Sequence, residues 1–212
     1  MSPLKPTNAS HSAHTPSAPR PALALDARVI DARRRVDKHT PSDALEGSHR
    51  AAILDLLDDD DGGDTLRRDR FAPGHLTASA FCVSADLREV LLVWHIALAR
   101  WLQPGGHVEP EDSDIVAAAR REVAEETGLV ACVALADGIF DVDVHAIPAR
   151  SGAKAEPAHL HFDVRIALVA APNACAVAGD GVSAVRWVAL DRFDTLVADG
   201  EIETDESVMR AI

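Results

Sequence analysis

Glu122, Glu125 and Glu126 stand at i, i+3 and i+4 in the run ARREVAEETG. If that run is helical, the three carboxylates share an arc of about 100°. At about 100° per residue, Glu122 and Glu126 each fall about 20° from Ile115, on the side that also carries Ala118 and Ala119. The acids therefore extend the apolar face, while Ala117, Arg120 and Ala124 point outward. An exposed acidic helix would do the reverse, and its Arg–Glu pairs would contribute about 0.2–0.5 kcal/mol each. Like charges on a partly buried face repel and resist desolvation, so a cation must neutralise them, and Mg²⁺ or Mn²⁺ with oxygen ligands fits. Arg121 at the edge of the cluster can orient one carboxylate but cannot balance three. The chemistry such a cluster supports is polarisation of an anionic substrate.

The elements that must hold these acids are legible around them. Asp112, Ser113 or Asp114 can cap a helix from about Ser113 to Thr127, and Gly128 stands where a left-handed C-terminal residue belongs. Upstream, Gly105-Gly106 ends a strand where backbone can approach a ligand closely. The whole segment, GGHVEPEDSDIVAAARREVAEETGLV from Gly105 to Val130, resembles the Nudix box, G-x5-E-x7-R-E-U-x-E-E-x-G-U, with U a bulky aliphatic residue. Arg121, Glu122, Val123, Glu125, Glu126, Gly128 and Leu129 match in register. The first half departs from the pattern: Asp112 follows five residues after Gly106, and eight residues rather than seven separate it from Arg121. One residue is inserted, and either Glu111 or Asp112 takes the place of the first glutamate.

The resemblance implies an α/β (α+β) Nudix fold, a mixed β-sheet sandwiched between helices, with the box as loop, helix and loop. It implies a metal-dependent hydrolase in which water attacks a diphosphate linkage of a nucleoside diphosphate derivative or related phosphorylated small molecule. By carry-over, Glu122, Glu125 and Glu126 are ligands or positioners of Mg²⁺ or Mn²⁺, with the Gly105 carbonyl as a further candidate ligand. A general base outside the box would fall at Asp180 in GDGVSAVRW, although Gly179-Asp180-Gly181 also reads simply as a turn. Two other functions compete. A sensor that binds a nucleotide without turnover has little reason to keep a charge-repelling cluster, and an enzyme like isopentenyl-diphosphate isomerase would need a catalytic cysteine, whereas Cys82 in AFCV reads as core.

A second constellation lies in DVDVHAIPAR (141–150) and HLHFDVRIAL (159–168). As strands, these put His159, His161, Asp163 and Arg165 on one face and Asp143 and His145 on the neighbouring one. His-x-His is a workable metal-ligand spacing, but no Cys joins it. The preferred reading is a strand pair lining the substrate cavity, with His145, Arg150, His159, His161 and Arg165 contacting phosphates. The alternative is a solvated face of an antiparallel sheet. Trp101 in WLQPGG reads as core or as a stacking platform near the glycines. Tyr is absent, which disfavours subfamilies that use a Tyr downstream of the box for dinucleoside polyphosphates.

The remaining chain divides in three. Residues 1–21 carry Pro, Ser, Thr and His without periodicity, which predicts a disordered tail. Residues 22–70 read as a helical extension and linker: one helix from Ala22 to Lys38, a second starting at Pro41-Ser42-Asp43 and running to about Leu57, then the acidic run Asp58 to Asp61, read as a solvated linker. Leu25, Val29, Val36, Leu45, Ile53, Leu54 and Leu57 should pack on the core or on a second copy, as a homodimer. By the resemblance, residues 71–212 are expected to form the Nudix domain, with a hairpin of HLTASAFCV (75–83) and EVLLVWH (89–95), four later strand-like runs and a final helix near Asp191 to Ala198.

Composition bounds the partners. With 21 basic against 34 acidic residues the formal net charge is −13, which disfavours a sequence-independent grip on nucleic acid or an anionic membrane. Arg33-Arg34-Arg35 beside Asp31 and Asp37 is a weak basic signal. No long apolar run predicts a membrane span, so cytoplasmic location is the default, with a transit peptide in the first 20 residues as the alternative. Cys82, Cys132 and Cys175 lack CxxC spacing and read as reduced core thiols.

Overall fold

The computed structural model describes residues 26–59, 64–136, 138–152 and 155–212. The expected tail, Leu25 and the end of the acidic run lie outside them.

The chain opens with two helices. Asp26 caps α1 (Ala27–Lys38), its side chain accepting from the Arg28 amide, and Asp43 caps α2 (Ala44–Asp58) by accepting from the Glu46 amide. Then come β1 (Gly74–Val83), β2 (Glu89–His95), β3 (Arg100–Leu102), β4 (Gly105–His107), α3 (Ile115–Thr127), β5 (Cys132–Ala134), β6 (Asp141–Ile147), β7 (His159–Ala170), β8 (Val182–Ala189), α4 (Phe193–Ala198) and α5 (Glu206–Ala211). β3, β4 and α5 are too short to show periodicity; of the three, only β4 was foreshadowed, as the strand end expected at Gly105-Gly106.

The sheet is mixed. β1 and β2 form the expected antiparallel pair, with Cys82 opposite Leu91. β1 also pairs parallel with β7 over ten positions, Gly74–Leu160 to Val83–Val169, and antiparallel with β4. β7 takes β6 and β5 on its other side, and β2 takes β3 and β8.

Period-2 alternation then divides the strands between two cores. Leu76, Ala78, Ala80 and Cys82 of β1 join Ile115, Ala118, Ala119 and Val123 of α3, and the same cluster takes in Val29, Ala32 and Val36 of α1 and Ile53, Leu56 and Leu57 of α2. Phe81, Val90 and Leu92 face the other way and meet Phe193, Leu196 and Val208 of α4 and α5. Of the cysteines, Cys82 and Cys132 are buried as expected, but Cys175 is exposed. It lies between β7 and β8 in a stretch without regular structure, where an apolar neighbourhood in sequence creates no core. Among the described residues no helix is long and apolar enough to cross a membrane.

Candidate active site

α3 presents the acids. Asp114 is its N-cap, accepting from the Ala117 amide, and Gly128 closes it in the left-handed conformation at φ 71°. Three carbonyls in the last turn are met by the loop before β8: the amides of Val177, Gly179 and Asp180 donate to Thr127, Glu126 and Glu125 at 2.9, 2.9 and 3.3 Å. That contact requires glycine at 179, where a Cβ would lie 1.9 Å from the Glu125 carbonyl oxygen. Asp180 is thereby brought to the end of the acidic helix, exposed, with its backbone against Glu125.

The three acids differ in depth. Glu126 is 9% exposed and accepts from the Gly105 amide at 3.2 Å; burial pushes its carboxyl up to about 8, and Glu122 and Glu125 add to the push. Burial also raises Glu122, against the pull of Arg121. Glu125 is exposed. β4 lies directly on this face. A Cβ on Gly106 would stand 2.6 Å from Glu122 Oε1, so the absence of a side chain there is what leaves room for the carboxylate.

Arg121 is the hub. Its Nη1 reaches Glu122 at 2.8 Å and Glu125 at 3.1 Å, its Nη2 donates to the His107 carbonyl at 2.7 Å, and its Nε and Nη2 reach Asp112 at 3.1 and 3.0 Å. Asp112 is buried and also accepts from the Glu109 amide. Of the two residues left open at the inserted position, it is therefore Asp112 that binds the box arginine. Arg121 touches more acids than the one expected, yet none of its contacts is to Glu126.

The second constellation pairs in the expected register: His145 faces His161, Asp143 faces Asp163 and Asp141 faces Arg165. It is not a solvated face. Arg165 is 1% exposed and contacts Asp141 at 2.7 Å, Asp163 at 3.1 Å and Asp143 at 3.3 Å, while its guanidinium also reaches Ser207 of α5. The expectation that Arg165 contacts phosphate is corrected by this burial, because all its donor directions are already taken. Asp163 in turn accepts from Thr77 and Ser79. His159 is buried and its Nδ1 meets the Pro157 carbonyl. Arg150 is exposed and ion-paired with Glu156, and His145 is half-exposed beside Asp143. Trp101 is partly buried, stacks edge-to-face on Trp94 at 5.6 Å and packs against the second core.

Two residues that sequence reasoning did not single out belong with these. His75 of β1 and His107 of β4 pack with His161, ring centroids 4.8 to 5.6 Å apart. The alternation in HLT and GGH was visible, but which strands would meet was not. Cys82 is fully buried, and its Cys132 neighbour and burial push its thiol up, so it offers no nucleophile of the kind an isomerase needs.

A loop-helix-loop that presents clustered acids to a glycine strand, on a mixed sheet between helices, defines the class of the Nudix pyrophosphohydrolases. The chain belongs to this family: the NUDIX domain model matches residues 73–211. No curated protein sequence matches it. Similar solved structures include the NUDIX domain of Shewanella oneidensis NrtR complexed with ADP ribose (20% identity, TM-score 0.40, 64% of this chain and 81% of that one). A C. elegans Ap4A hydrolase binary complex (19%, 0.45, 64% and 93%) and a NUDIX hydrolase from Nitrosomonas europaea (23%, 0.42, 64% and 84%) are also similar.

Proposed function

We propose that the chain is a divalent-metal-dependent hydrolase of a diphosphate linkage in a nucleoside diphosphate derivative or related phosphorylated small molecule. The observation that carries this is Glu126: a buried carboxylate without a cationic partner, beside Glu122 and Glu125, on a face kept open by Gly106. Such a set is costly unless a cation completes it. Oxygen donors in this number suit Mg²⁺ or Mn²⁺, with Glu122, Glu125 and Glu126 holding the ion and the Gly105 carbonyl as a lesser candidate. A bound cation would draw charge from the phosphate oxygens and make water a better nucleophile.

The chain's own residues do the rest. Arg121 fixes Glu122 and Glu125 in one orientation through a guanidinium that Asp112 and the His107 carbonyl hold in place. Asp180 is the candidate base, since it is exposed at the end of the same helix. Of the set expected to contact substrate, Arg150 is exposed and His145, His161 and Trp101 are partly exposed, whereas His159 and Arg165 are buried. A cavity of about 590 Å³, lined by Arg28, Arg67 and Arg68 and also by Asp69, Glu109 and Glu156, opens beside the loop that follows His107, and it is a candidate place for the non-reacting half of the substrate.

The test is a turnover screen of the full chain with Mg²⁺ or Mn²⁺ against nucleoside diphosphate sugars, dinucleotides, nucleoside triphosphates and non-nucleotide diphosphates. Glu125→Gln and Glu126→Gln should each lower kcat by at least about a hundredfold. Near-normal turnover by both variants, or full activity in chelator, would sink the assignment.

A further inference from the structure

We infer that His75, His107 and His161 form a second metal site, a three-imidazole centre for a borderline divalent ion of the Zn²⁺ type, separate from the carboxylate cluster on α3. One ligand atom from each of the three lies within 4.8 Å of the others. Three nitrogens on a tetrahedral Zn²⁺ at about 2.0–2.1 Å stand roughly 3.4 Å apart, so closure by about an ångström of ring movement completes the site. His107 and His161 are only half-buried, and they can supply that movement.

A second observation points to a ligand independently of the clustering. His75 is fully buried, and its Nδ1 lies 3.0 Å from the Arg70 carbonyl. A carbonyl can only accept, so Nδ1 carries the proton and Nε2 keeps a lone pair. That Nε2 is buried with no partner. A ring anchored by one nitrogen on a backbone carbonyl, with the other nitrogen unpaired, is how a protein orients a metal-binding histidine. An unpartnered polar atom in a packed interior is otherwise a net cost.

The three histidines come from three strands that the sheet holds in fixed register, β1 with β7 at His75–His161 and β1 with β4 at Thr77–His107. Nitrogen donors select a Zn²⁺-type ion over Mg²⁺, which prefers oxygen. The fourth position is left to water. Its nearest connection to the acidic cluster is β4 itself, because the same His107 whose ring enters the centre gives its carbonyl to Arg121.

The site is tested on the purified full chain, stripped with chelator and then titrated with Zn²⁺ under excess Mg²⁺. Stoichiometry is read by elemental analysis, and coordination by the visible absorption of the Co²⁺ form, which is intense only for four-coordinate geometry. The parent should bind one Zn²⁺ per chain with Kd below about 1 µM and gain thermal midpoint on binding. A Glu122→Gln/Glu126→Gln variant should keep that binding, whereas His107→Gln and His161→Gln should each weaken it by at least about 100-fold and lose the four-coordinate Co²⁺ spectrum. Circular dichroism of the metal-free variants separates lost ligation from lost folding, and either of the two half-buried positions suffices if the other misfolds. No tight Zn²⁺ in the parent, or binding unchanged in the histidine variants and lost in the glutamate variant, overturns the inference while leaving the hydrolase reading to its own assay.

Discussion

A methyl group at Gly106 would lie 2.6 Å from Glu122 Oε1, 2.7 Å from its Cδ and 2.8 Å from its Oε2. All three are the end of a flexible side chain, so in Gly106→Ala the backbone stays and the carboxylate swings away. That costs about 0.5–1.5 kcal/mol in rotamer strain, and about 1 kcal/mol for the partly buried Arg121–Glu122 pair. At about 2–4 °C per kcal/mol for a chain of this size, the midpoint falls by several degrees at most. Activity should respond out of proportion. If the acids hold a charge-stabilising ion as proposed, displacing one of them should lower kcat by about 10²–10³, or about 2.7–4 kcal/mol. The adjacent residue supplies the control. A Cβ on Gly105 would meet Ser79 Cβ at 2.3 Å and Ser79 Cα at 2.7 Å, and those residues are paired across β1 and β4, so Gly105→Ala must push two strands apart and should cost more than the usual 1–3 kcal/mol (roughly) of overpacking. Melting curves and steady-state kinetics on both variants decide. Turnover of Gly106→Ala within about threefold of the parent, or a midpoint loss equal to that of Gly105→Ala, would refute the argument that this glycine exists to seat Glu122.

Three further outcomes are expected. Arg165→Met leaves Asp141, Asp143 and Asp163 facing one another in a buried layer and should destabilise by about 3–5 kcal/mol in urea titrations; a loss under about 1 kcal/mol with activity abolished would return Arg165 to a substrate role. Against burial, the Ser42 amide and His39 hold Glu46 down to about 2, and His145 and Arg165 hold Asp143 down to about 2. A depressed carboxyl contributes stability above its ordinary pKa and loses it as pH falls through the folded value, so unfolding free energy should drop between pH about 4.5 and about 2, and a flat profile there contradicts both pairings. Deleting residues 1–21 should change neither midpoint nor activity, whereas starting the chain at Asp64 removes Val29, Val36, Ile53, Leu56 and Leu57 from the main core and should produce aggregation or a much lower midpoint by calorimetry.

What was legible in the sequence was local. Glu122 and Glu126 on the apolar side of α3, its Asp and Gly ends, the hairpin and the two N-terminal helices all follow from spacings of a few residues, and the structure places each within a few positions of its expected range, whereas Glu125, expected on the same arc, is exposed. The polar face of β6 and β7 was legible as a pattern but not as an environment. Whether His161 and Arg165 meet solvent depends on β1, α2 and α5, and the contact of Thr77 with Asp163 spans 86 residues of chain. Alternation says which side chains share a face; it does not say what covers that face. The same limit explains Asp112. Composition could not choose between it and Glu111, because the choice is made by where Arg121 points once α3 has packed.

β4 is three residues long, and each of them is committed differently. The Gly105 amide donates to Glu126, Gly106 gives Glu122 its room, and the His107 carbonyl accepts from Arg121 while its ring packs against His75 and His161. A strand this short has little cooperativity of its own, and its register comes from β1, where His107, Gly106 and Gly105 lie opposite Thr77, Ala78 and Ser79. Alternation along β1 sends Ala78 into the core shared with α3 and turns Thr77 and Ser79 toward Asp163 and its partner Arg165. The acids on one side of the sheet and the buried polar layer on the other are thus positioned by the same backbone. A disturbance of the polar layer that shifts β1 by a few tenths of an ångström must therefore move the glycines over the carboxylates, with no residue of the acidic cluster altered.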